Sequence, residues 1–371
     1  MFDPLKPYND LPLLPPTSEI ETREVLKRCI SARTSLERLR MAAQLIPNQA
    51  VLGTIPILEA RGSSEIENIV TTNDALFRRA SLGGDGDPVA KEADRYRAAL
   101  FGGFAMLSNI PISTRLAVAV CRDIVAIDLD VRSTPGTALR NAHSSKIINT
   151  PPEHRDRLLT LLANWEAFIN EPSDIDPLVK MAVQHYQFEA IHPFIDGNGR
   201  TGRIINILSL IQDGLLDLPI LYLSKFILAN RNEYYRLLND VTSNGNWVAW
   251  VLYMLQAVEE TSAWTEEKIR AIRKLMDVTT DLVRVKAPRI YSRELIELLF
   301  SQPYCRIGDV VDHGIAQRQA ASRILLKLTR LGVLHAAPDG RSKRKLFINW
   351  AFSDLLDNDA NEFLPYETVE P

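Results

Sequence analysis

The sequence predicts an all-α protein with a small β-hairpin and a C-terminal winged helix-turn-helix domain. Apolar residues recur at helical spacing along most of the chain, whereas the alternating pattern that is typical of strands is scarce. The segment 131–152 has turn residues, short β-prone stretches and no helical period, which favours a hairpin. Residues 281–350 carry 13 Lys and Arg against 6 Asp and Glu, so we expect a second domain with its own surface chemistry there.

The composition of the 371 residues excludes several classes of protein. With 46% hydrophobic and 24% charged residues, the chain is neither largely disordered, nor collagen, nor a coiled-coil rod. A net charge of −3 gives no overall attraction to nucleic acid or anionic lipid. The three cysteines (Cys29, Cys121 and Cys305) are odd in number and widely spaced, which argues against a disulfide framework and for a reducing compartment.

No targeting or membrane-spanning segment is evident in the sequence. The N-terminus lacks the basic start and apolar run of a signal peptide. No apolar stretch approaches the roughly 20 residues that cross a bilayer. We therefore expect a cytoplasmic protein without membrane contact.

The first 276 residues predict an extended arm followed by helices. Residues 1–17 contain five prolines and are expected to lie on the surface, and Ser18 with Glu21 has the spacing of a capping box. Residues 1–110 are predicted to form an N-terminal helical region and 111–276 a helical core. Helices are expected at about 19–46, 53–69, 72–80, 87–108, 112–126, 153–170, 174–191, 199–213, 220–229, 232–242 and 246–276.

Residues 281–350 have the pattern of a winged helix-turn-helix. A helix at 291–301 precedes a tight turn at 313–315, a second helix at 316–331 and a basic hairpin at 332–349. Such a domain would bind DNA or serve as a packing or dimer module. Residues 351–371 hold six acids and no Lys or Arg, which predicts a solvated tail that could mask the basic face. The candidate DNA contacts are Gln317, Arg318, Gln319, Ser322 and Arg323 on the second helix, and Arg341, Lys343 and Arg344 on the wing.

The stretch 188–210 concentrates the residues that could carry chemistry. A helix is expected to end near Ile191, a glycine-containing turn follows at 196–199, and an apolar helix begins at about 199. Glycines at 197, 199 and 202 permit close approach of a ligand to the backbone. Consecutive N–H groups at such a helix start form a site for an anion.

Four side chains around this turn suit phosphate chemistry. Arg200 and Arg203 share one helix face and offer forked donors, whereas Asp196 is a hard oxygen ligand suited to Mg²⁺. His192 is the side chain best suited to take a proton near neutral pH. Taken singly, these are more often a structural His, an ordinary turn and a solvated helix face. Their occurrence together favours a site.

The stretch HPFIDGNGRTGR (192–203) resembles the signature of Fic-domain proteins, with every fixed position filled. The resemblance implies a Fic-type helical bundle that uses Mg²⁺ and transfers AMP from ATP to Ser, Thr or Tyr hydroxyls of proteins, including itself, releasing pyrophosphate. It makes His192 the general base, Phe194 an apolar anchor and Asp196 the metal ligand. The nucleotide-binding residues that it implies are Gly197, Asn198, Gly199, Arg200, Thr201, Gly202 and Arg203, with Asn230 and Tyr235 on the adenosine side.

The segment 59–72 resembles the inhibitory motif of the same family, with Ser63, Glu67 and Asn68 at the fixed positions. By that resemblance a helix at about 55–70 places Glu67 against Arg203, in the space for the γ-phosphate. The alternative is a surface helix whose Glu67 faces water.

Other features of the chain leave the function partly open. By position, 137–151 matches the family's target-binding flap, with Arg140 as its basic residue, although an ordinary loop fits almost as well. Tyr235 is also compatible with a buried, structurally satisfied tyrosine. A homodimer agrees with the resemblance. The alternatives are transfer of another nucleotide or phosphate group, removal of AMP, and a DNA-binding regulator whose Fic domain senses nucleotide.

Overall fold

The computed structural model describes residues 2–46, 48–82, 87–140, 147–338, 345–364 and 366. The described residues form these helices: α1 (Arg23–Ala43), α2 (Gln49–Leu52), α3 (Ile55–Ile66), α4 (Asn73–Leu82), α5 (Pro88–Leu107), α6 (Thr114–Val125), α7 (Arg155–Asn170), α8 (Pro177–Ile191), α9 (Asn198–Gln212), α10 (Leu223–Ala229), α11 (Arg231–Asn244), α12 (Trp247–Lys286), α13 (Arg293–Ser301), α14 (Ile307–Asp312), α15 (Arg318–Arg330) and α16 (Trp350–Asp357). The strands are β1 (Leu139–Arg140), β2 (Ile147–Asn149), β3 (Tyr304–Cys305), β4 (His335–Pro338) and β5 (Lys345–Ile348). The predicted fold class is confirmed.

The chain divides into two compact units that are each assembled from separate stretches. The first unit comprises Met1–Arg40, Glu59–Val70 and Glu92–Ala263, and the second comprises the remaining residues. These units do not follow the linear boundaries expected at 110 and 276–281, because segments far apart in sequence pack together. The expected helix end near 276 is also wrong, since α12 continues to Lys286 with Thr279 and Val283 buried.

Two central helices organise the first unit. Most of the side chains along α8 are buried, including polar ones, and such a helix is stable only when other elements surround it. Helices α7 and α9 pack against α8, and α6 packs against α9. The indole N–H of Trp250 donates to the Ala182 carbonyl at 2.7 Å, which satisfies a polar group inside this core. The C-terminal end of α8 and the N-terminal end of α9 meet at the turn that carries the candidate site.

The N-terminal arm and the flap lie on the first unit as ordered elements. The Arg157 guanidinium donates to the carbonyls of Asn9 and Leu11, both at 2.9 Å. The Tyr8 N–H donates to the Thr150 carbonyl at 2.9 Å, directly beyond β2. Strands β1 and β2 pair antiparallel, so the expected hairpin is confirmed, although residues 141–146 lie outside the described part of the chain.

The second unit contains a three-helix and three-stranded arrangement. Its elements follow the order α13, β3, α14, α15, β4, β5, and the sheet order is β3–β5–β4 with antiparallel pairs. This is the order expected of a winged helix-turn-helix. The wing residues Arg341, Lys343 and Arg344 lie outside the described residues. Strand β5 lies in the middle of the sheet because it pairs with both β3 and β4, and its Leu346 and Phe347 side chains are buried.

The solvated tail predicted for 351–371 is wrong for its first part. Helix α16 (Trp350–Asp357) buries Phe352, Leu355 and Leu356, and the Phe352 ring lies 5.0 Å from that of Phe300. The number of acidic residues alone predicted a solvated tail, but this helix is amphipathic. Its acids lie on the exposed face, opposite the buried apolar side chains. Masking of the basic face by a free tail is therefore not supported for these residues.

Lys268 fixes the C-terminal end of α16. Its ammonium is fully buried and donates to the Asn358 carbonyl at 2.7 Å and to the Leu355 carbonyl. It also lies 4.9 Å from the centre of the Trp264 ring. A cation at the end of a helix pairs with carbonyls that have no partner within the helix.

We expect Lys268→Met to loosen α16 while keeping its packing volume. Two charge-assisted hydrogen bonds are lost, one of them to the buried Leu355 carbonyl, which costs about 1.5–3 kcal/mol. Hydrogen exchange of the amides in 350–358 should quicken, and the urea midpoint should fall. Lys286→Met, at an exposed cation, is the control and should change neither; equal effects in the two variants would contradict the role of Lys268.

Candidate active site

His192 is held in place by its backbone at the end of α8. It is the C-cap of this helix with φ 50° and ψ 59°, and its N–H donates to the Phe188 carbonyl at 3.0 Å. Its own carbonyl accepts a hydrogen bond of 2.8 Å from the Arg132 Nε. The buried Arg132 also donates to the carbonyls of Pro152 and Ile191, at 2.6 and 3.3 Å. The imidazole is therefore positioned by a backbone that has little freedom.

The turn after His192 is closed by an asparagine. The Asn198 side chain accepts from the Phe194 N–H at 2.8 Å and donates to the Phe194 carbonyl at 2.9 Å. Phe194 itself is fully buried, as expected of an apolar anchor. The Asn198 side chain thus holds the shape of the turn, and one N–H of its amide remains beyond these two bonds, so its contact with phosphate stays a prediction.

Gly197 begins α9 in a conformation that favours glycine. Its φ is 80°, and an added Cβ would lie 3.0 Å from the Val125 Cγ1 and 3.2 Å from the Cys121 Sγ. The Thr201 N–H donates to the Gly197 carbonyl at 2.9 Å, which starts the helix. No side chain caps this N-terminus, so its first N–H groups have no intrahelical acceptor and can receive an anion.

Two buried arginines follow in the first turns of α9. The Arg200 side chain is 3% exposed, and its Nη1 donates to the Glu92 Oε1 at 2.8 Å. Its Nε has no hydrogen-bond partner among the described residues. A buried donor without an acceptor is costly, and a phosphate oxygen is one group that would satisfy it. The predicted spacing of Arg200 and Arg203 thus places both beside the turn.

Arg203 is joined to α3 by three hydrogen bonds. Its Nε donates to the Ser63 Oγ at 2.7 Å, and its Nη2 donates to the Ser63 carbonyl at 2.9 Å and to the Glu67 Oε1 at 2.8 Å. Arg203 is 1% exposed, so this cation is paired almost entirely within the protein. Gly199 permits the approach, because an added Cβ there would overlap the Glu67 carboxylate.

Glu59, Ser63 and Glu67 are spaced four residues apart, and their hydrogen bonds hold α3 and the residue after it against the site. Below Ser63 and Glu67, the buried Glu59 accepts from the Tyr96 hydroxyl at 2.9 Å and from the Ser224 N–H and hydroxyl at 2.9 and 2.6 Å. Burial raises the pKa of Glu59 to about 7 despite these hydrogen bonds. Helix α3 is therefore held against the site along its length, and the Glu67 carboxylate just beyond it is one-third exposed and paired with Arg203.

Just beyond α3, Asn68 has φ 64°, and its Oδ1 accepts from the Arg231 Nη1 at 3.0 Å. The three residues of the inhibitory pattern thus lie at the site together. Burial acts to raise the pKa of Glu67, but the charges of Arg203, Arg200 and Arg231 outweigh it and lower the pKa overall. Glu67 is therefore ionised at neutral pH.

The His192 imidazole is neutral at physiological pH. Burial, followed by the nearby charge of Arg132, lowers the pKa of His192 to about 4. An unprotonated imidazole nitrogen can accept a proton from an alcohol. The site therefore contains a potential base in its working protonation state.

A second histidine lies behind the arginines and was not singled out by the sequence. Burial lowers the pKa of His185 to about 3, and its Nε2 is 2.9 Å from the Tyr234 hydroxyl. Burial also raises the pKa of Glu189 to about 8. Gly202 makes room for both, since an added Cβ would come within 2.6 Å of the Glu189 Oε1 and 3.2 Å of the His185 ring. Gly202, in the first turns of α9, thus leaves space for Glu189 and His185 to pack beneath the site.

Asp196 is exposed at the mouth of the turn. One carboxylate oxygen accepts from the Gly197 N–H at 2.6 Å, and the other is 3.8 Å from the Arg200 Nη2. Within the described residues, no three His, Cys, Asp or Glu side chains converge into a metal site. Asp196 stays the predicted Mg²⁺ ligand.

The two residues expected on the adenosine side differ in character. The Asn230 amide donates to the Phe226 carbonyl at 3.0 Å, so it caps α10. Tyr235 is about one-third exposed, and its ring lies 5.8 Å from the Arg231 guanidinium. Burial and then the charge of Glu67 raise the pKa of Tyr235 to about 12, which indicates a hydroxyl near the site. The fully buried tyrosine is its neighbour Tyr234.

Sequence reasoning missed several partners of the motif residues. Glu92 pairs with Arg200, Arg132 holds the His192 backbone, and Arg231 pairs with Asn68. All three lie outside the two motifs, and nothing in their local pattern marks them. Only Arg132 carried a signal, as a charged residue opening a stretch without helical period.

Comparison with known families accounts for these arrangements. Residues 26–105 match the Fic/DOC family N-terminal model, 121–210 the Fic/DOC family model, and 275–352 the C-terminal domain of SoFic-like protein adenylyltransferases. The chain belongs to the Fic/DOC family. The match to the Fic/DOC family model contains the turn at 196–199 with Arg200 and Arg203. The match to the N-terminal model contains α3 and Glu67.

Individual relatives match only part of the chain. A probable protein adenylyltransferase of Aquifex aeolicus is 37% identical over 24% of this chain and 26% of its own length. The protein adenylyltransferase fic-1 of Caenorhabditis elegans is 32% identical over 29% of this chain and 20% of its own. The chain thus covers about a quarter of the length of these curated relatives.

Solved structures share the fold at low sequence identity. A Fic family protein from Desulfovibrio desulfuricans G20 superposes with a TM-score of 0.56 at 20% identity, covering 91% of this chain and 98% of that one. Fic-1 from C. elegans superposes with a TM-score of 0.51 at 20% identity, over 65% and 72% of the two chains.

Among the described helices, none has both the length and the apolar composition needed to cross a membrane.

We expect the His192 imidazole to remain neutral well below the ordinary range of histidine. Its ¹⁵N and ¹³C resonances should titrate near pH 4, because burial and Arg132 both disfavour the cation. Arg132→Gln should move the midpoint upward, since one of the two causes is removed. Assignment by His192→Asn identifies the resonance, and a midpoint near 6.5 in the folded protein would contradict the geometry.

Proposed function

We propose that this Fic protein transfers AMP from ATP to hydroxyl side chains of proteins. One observation carries the proposal. A potential anion site, made by the N-terminus of α9 with the buried Arg200 and Arg203, lies next to the neutral imidazole of His192. The relatives' names, as protein adenylyltransferases, support it. The proposal assigns no physiological target.

His192 would act as the general base. The target hydroxyl gives its proton to the imidazole while its oxygen forms a bond to the α-phosphorus, and the bond to the departing pyrophosphate breaks. The proton remains on the imidazole until it passes to solvent. A pKa of about 4 makes a weak base, but the negative charge of bound phosphates stabilises the imidazolium and raises this pKa. ATP would therefore strengthen the base that uses it.

The phosphates would be held by the start of α9. The N–H groups after Gly197 supply fixed donors, and Arg200 supplies an Nε that lacks an acceptor. Arg203 would supply a second guanidinium once Glu67 has left it. Fixed donors stabilise the charge that develops on pyrophosphate with little rearrangement.

The residues present fit a Mg²⁺ ion that is carried largely by the nucleotide. Mg²⁺ commonly takes one or two protein carboxylates and completes its shell with phosphate oxygens and water. Asp196 offers one exposed carboxylate beside the anion site, which agrees with that donor set. The ion would supply neutralisation of phosphate charge.

Glu67 would act as a built-in brake. Its carboxylate occupies Arg203 and lies against Gly199, where an outer phosphate would bind. A carboxylate about 5 Å from one phosphate charge is repelled by roughly 3 kcal/mol at an effective dielectric constant of 20. This corresponds to about a hundredfold weaker productive binding.

Several expectations accompany the proposal. The β1–β2 flap would align the target as an added strand, a known mode of peptide capture. A homodimer, auto-modification and a cytoplasmic location remain expectations. Transfer of another nucleotide or removal of AMP are the alternative activities. Parallel reactions with ATP, GTP, CTP and UTP, read by mass spectrometry, discriminate between the nucleotides.

His192→Ala should abolish most AMP transfer without abolishing ATP binding. Loss of a general base costs about 10²–10⁴ in rate, whereas the phosphate donors are untouched. The measurement is the AMP adduct by mass spectrometry, with ATP affinity measured by calorimetry, both in a Glu67→Ala background. Normal transfer by the His192 variant would refute its assignment as the base.

Glu67→Ala should raise auto-modification about a hundredfold, because it removes the carboxylate that competes with phosphate. Glu65→Ala is the matched control, since it removes a carboxylate two residues away, in the last turn of α3, that has no described contact with Arg203. The rate of AMP adduct formation and the affinity for ATP are measured for both. The brake is excluded if the two variants behave alike.

A further inference from the structure

Helix α15 presents a basic face that the proposed reaction does not use. Arg323, Lys327 and Arg330 are exposed together on it, Arg318 is exposed separately at the N-terminal end of the helix, and its 13 residues include no acid. Within the described residues, none of these four cations has an ion pair or a hydrogen bond from its side chain. Exposed cations that remain unpaired are available to an external polyanion.

The buried side of α15 fixes the orientation of this face. Ala321, Leu325 and Leu328 are buried, and α14 packs against the helix. The turn between α14 and α15 passes through Gly314 at φ 68°, and the Ile315 N–H donates to the Val310 carbonyl at 3.1 Å. These contacts make a helix–turn–helix in which the second helix faces outward.

The dimensions of α15 suit a groove. An α-helix with its side chains is about 10–12 Å across, and the B-DNA major groove is about 12 Å wide, so a helix of the length of α15, roughly 20 Å, can lie in it. Gln317, Arg318 and Gln319 are exposed at its N-terminal end, where helices of this class reach base edges. Both residue types form paired hydrogen bonds with bases, Arg with guanine and Gln with adenine.

The composition of this face also argues against other occupants. None of the large apolar side chains that the structure exposes lies on α15. A membrane-bound helix needs an apolar face to insert, and a protein interface usually has a buried apolar anchor. Of the two acids on the neighbouring α14, Asp309 is paired with Arg306 at 3.2 Å and Asp312 is exposed, so one unpaired acid faces the four cations of α15.

We propose that the exposed face of α15 docks in the major groove of duplex DNA. Arg323, Lys327 and Arg330 contact phosphates, and the N-terminal residues Gln317–Gln319 approach the bases. The net charge of −3 does not oppose this, because the excess of basic residues is local to 281–350. The docking surface is thus separate in sequence from the Fic motif.

The test is fluorescence anisotropy of the full chain with a labelled duplex of mixed sequence across a range of KCl concentrations. Three phosphate contacts give a slope of log affinity against log salt of about −2.7. Arg323→Glu with Lys327→Glu should weaken binding at least about tenfold at low salt and make the slope shallower by about 2. Thermal unfolding by circular dichroism checks that this variant is folded.

Lys286→Glu with Arg289→Glu is the matched control, since it changes the net charge equally at exposed cations outside α15. It should retain most of the affinity. The proposal is overturned if duplex DNA does not bind at low salt, if the control loses as much affinity as the α15 variant, or if polyglutamate or phosphatidylserine vesicles bind as tightly as DNA. Because the readout is binding, its failure is distinct from a failure of AMP transfer.

Discussion

The buried guanidinium of Arg203 is the constraint on which the rest of the site depends. An arginine cannot give up its proton, so a buried one needs anionic or carbonyl partners. Ser63 and Glu67 supply them here, and α3 is held in place as a result. If Glu67 were displaced, the Arg203 guanidinium would lack an anionic partner and would bind a phosphate group in its place. The stability of this site and the inhibition proposed for Glu67 therefore rest on one ion pair.

The position of the imidazole depends on backbone groups more than on side-chain contacts. Arg132 donates to the His192 carbonyl, and Asn198 holds both polar groups of the Phe194 backbone. These buried hydrogen bonds fix a turn that would otherwise be free to move. Burial then sets the chemistry, because it keeps the imidazole neutral while the surrounding arginines keep Glu67 ionised. A neutral imidazole and an ionised carboxylate from two separate motifs are thus maintained within one site.

The basic residues of the two units serve different physical purposes. In the first unit Arg200 and Arg203 are buried and held by carboxylates, so their charge is focused on a small site. On α15 the cations are exposed and spread along a helix, so their field reaches solvent and is screened by salt. One arrangement suits a nucleotide at a fixed position, and the other suits an extended polyanion.

The sequence by itself determined the helical fold class, the hairpin, the turn at 196–199 and the inhibitory segment, because spacing along the chain is a local property. It did not determine Glu92, Arg132 or the contact of Glu59 with Ser224, since those partners are brought together only by packing across many residues. It misassigned the start of the tail, because whether an acidic helix is buried on one face depends on its neighbours. The protonation of His192 was likewise decided by the tertiary structure, since a pKa responds to burial and to charges that sequence order does not reveal.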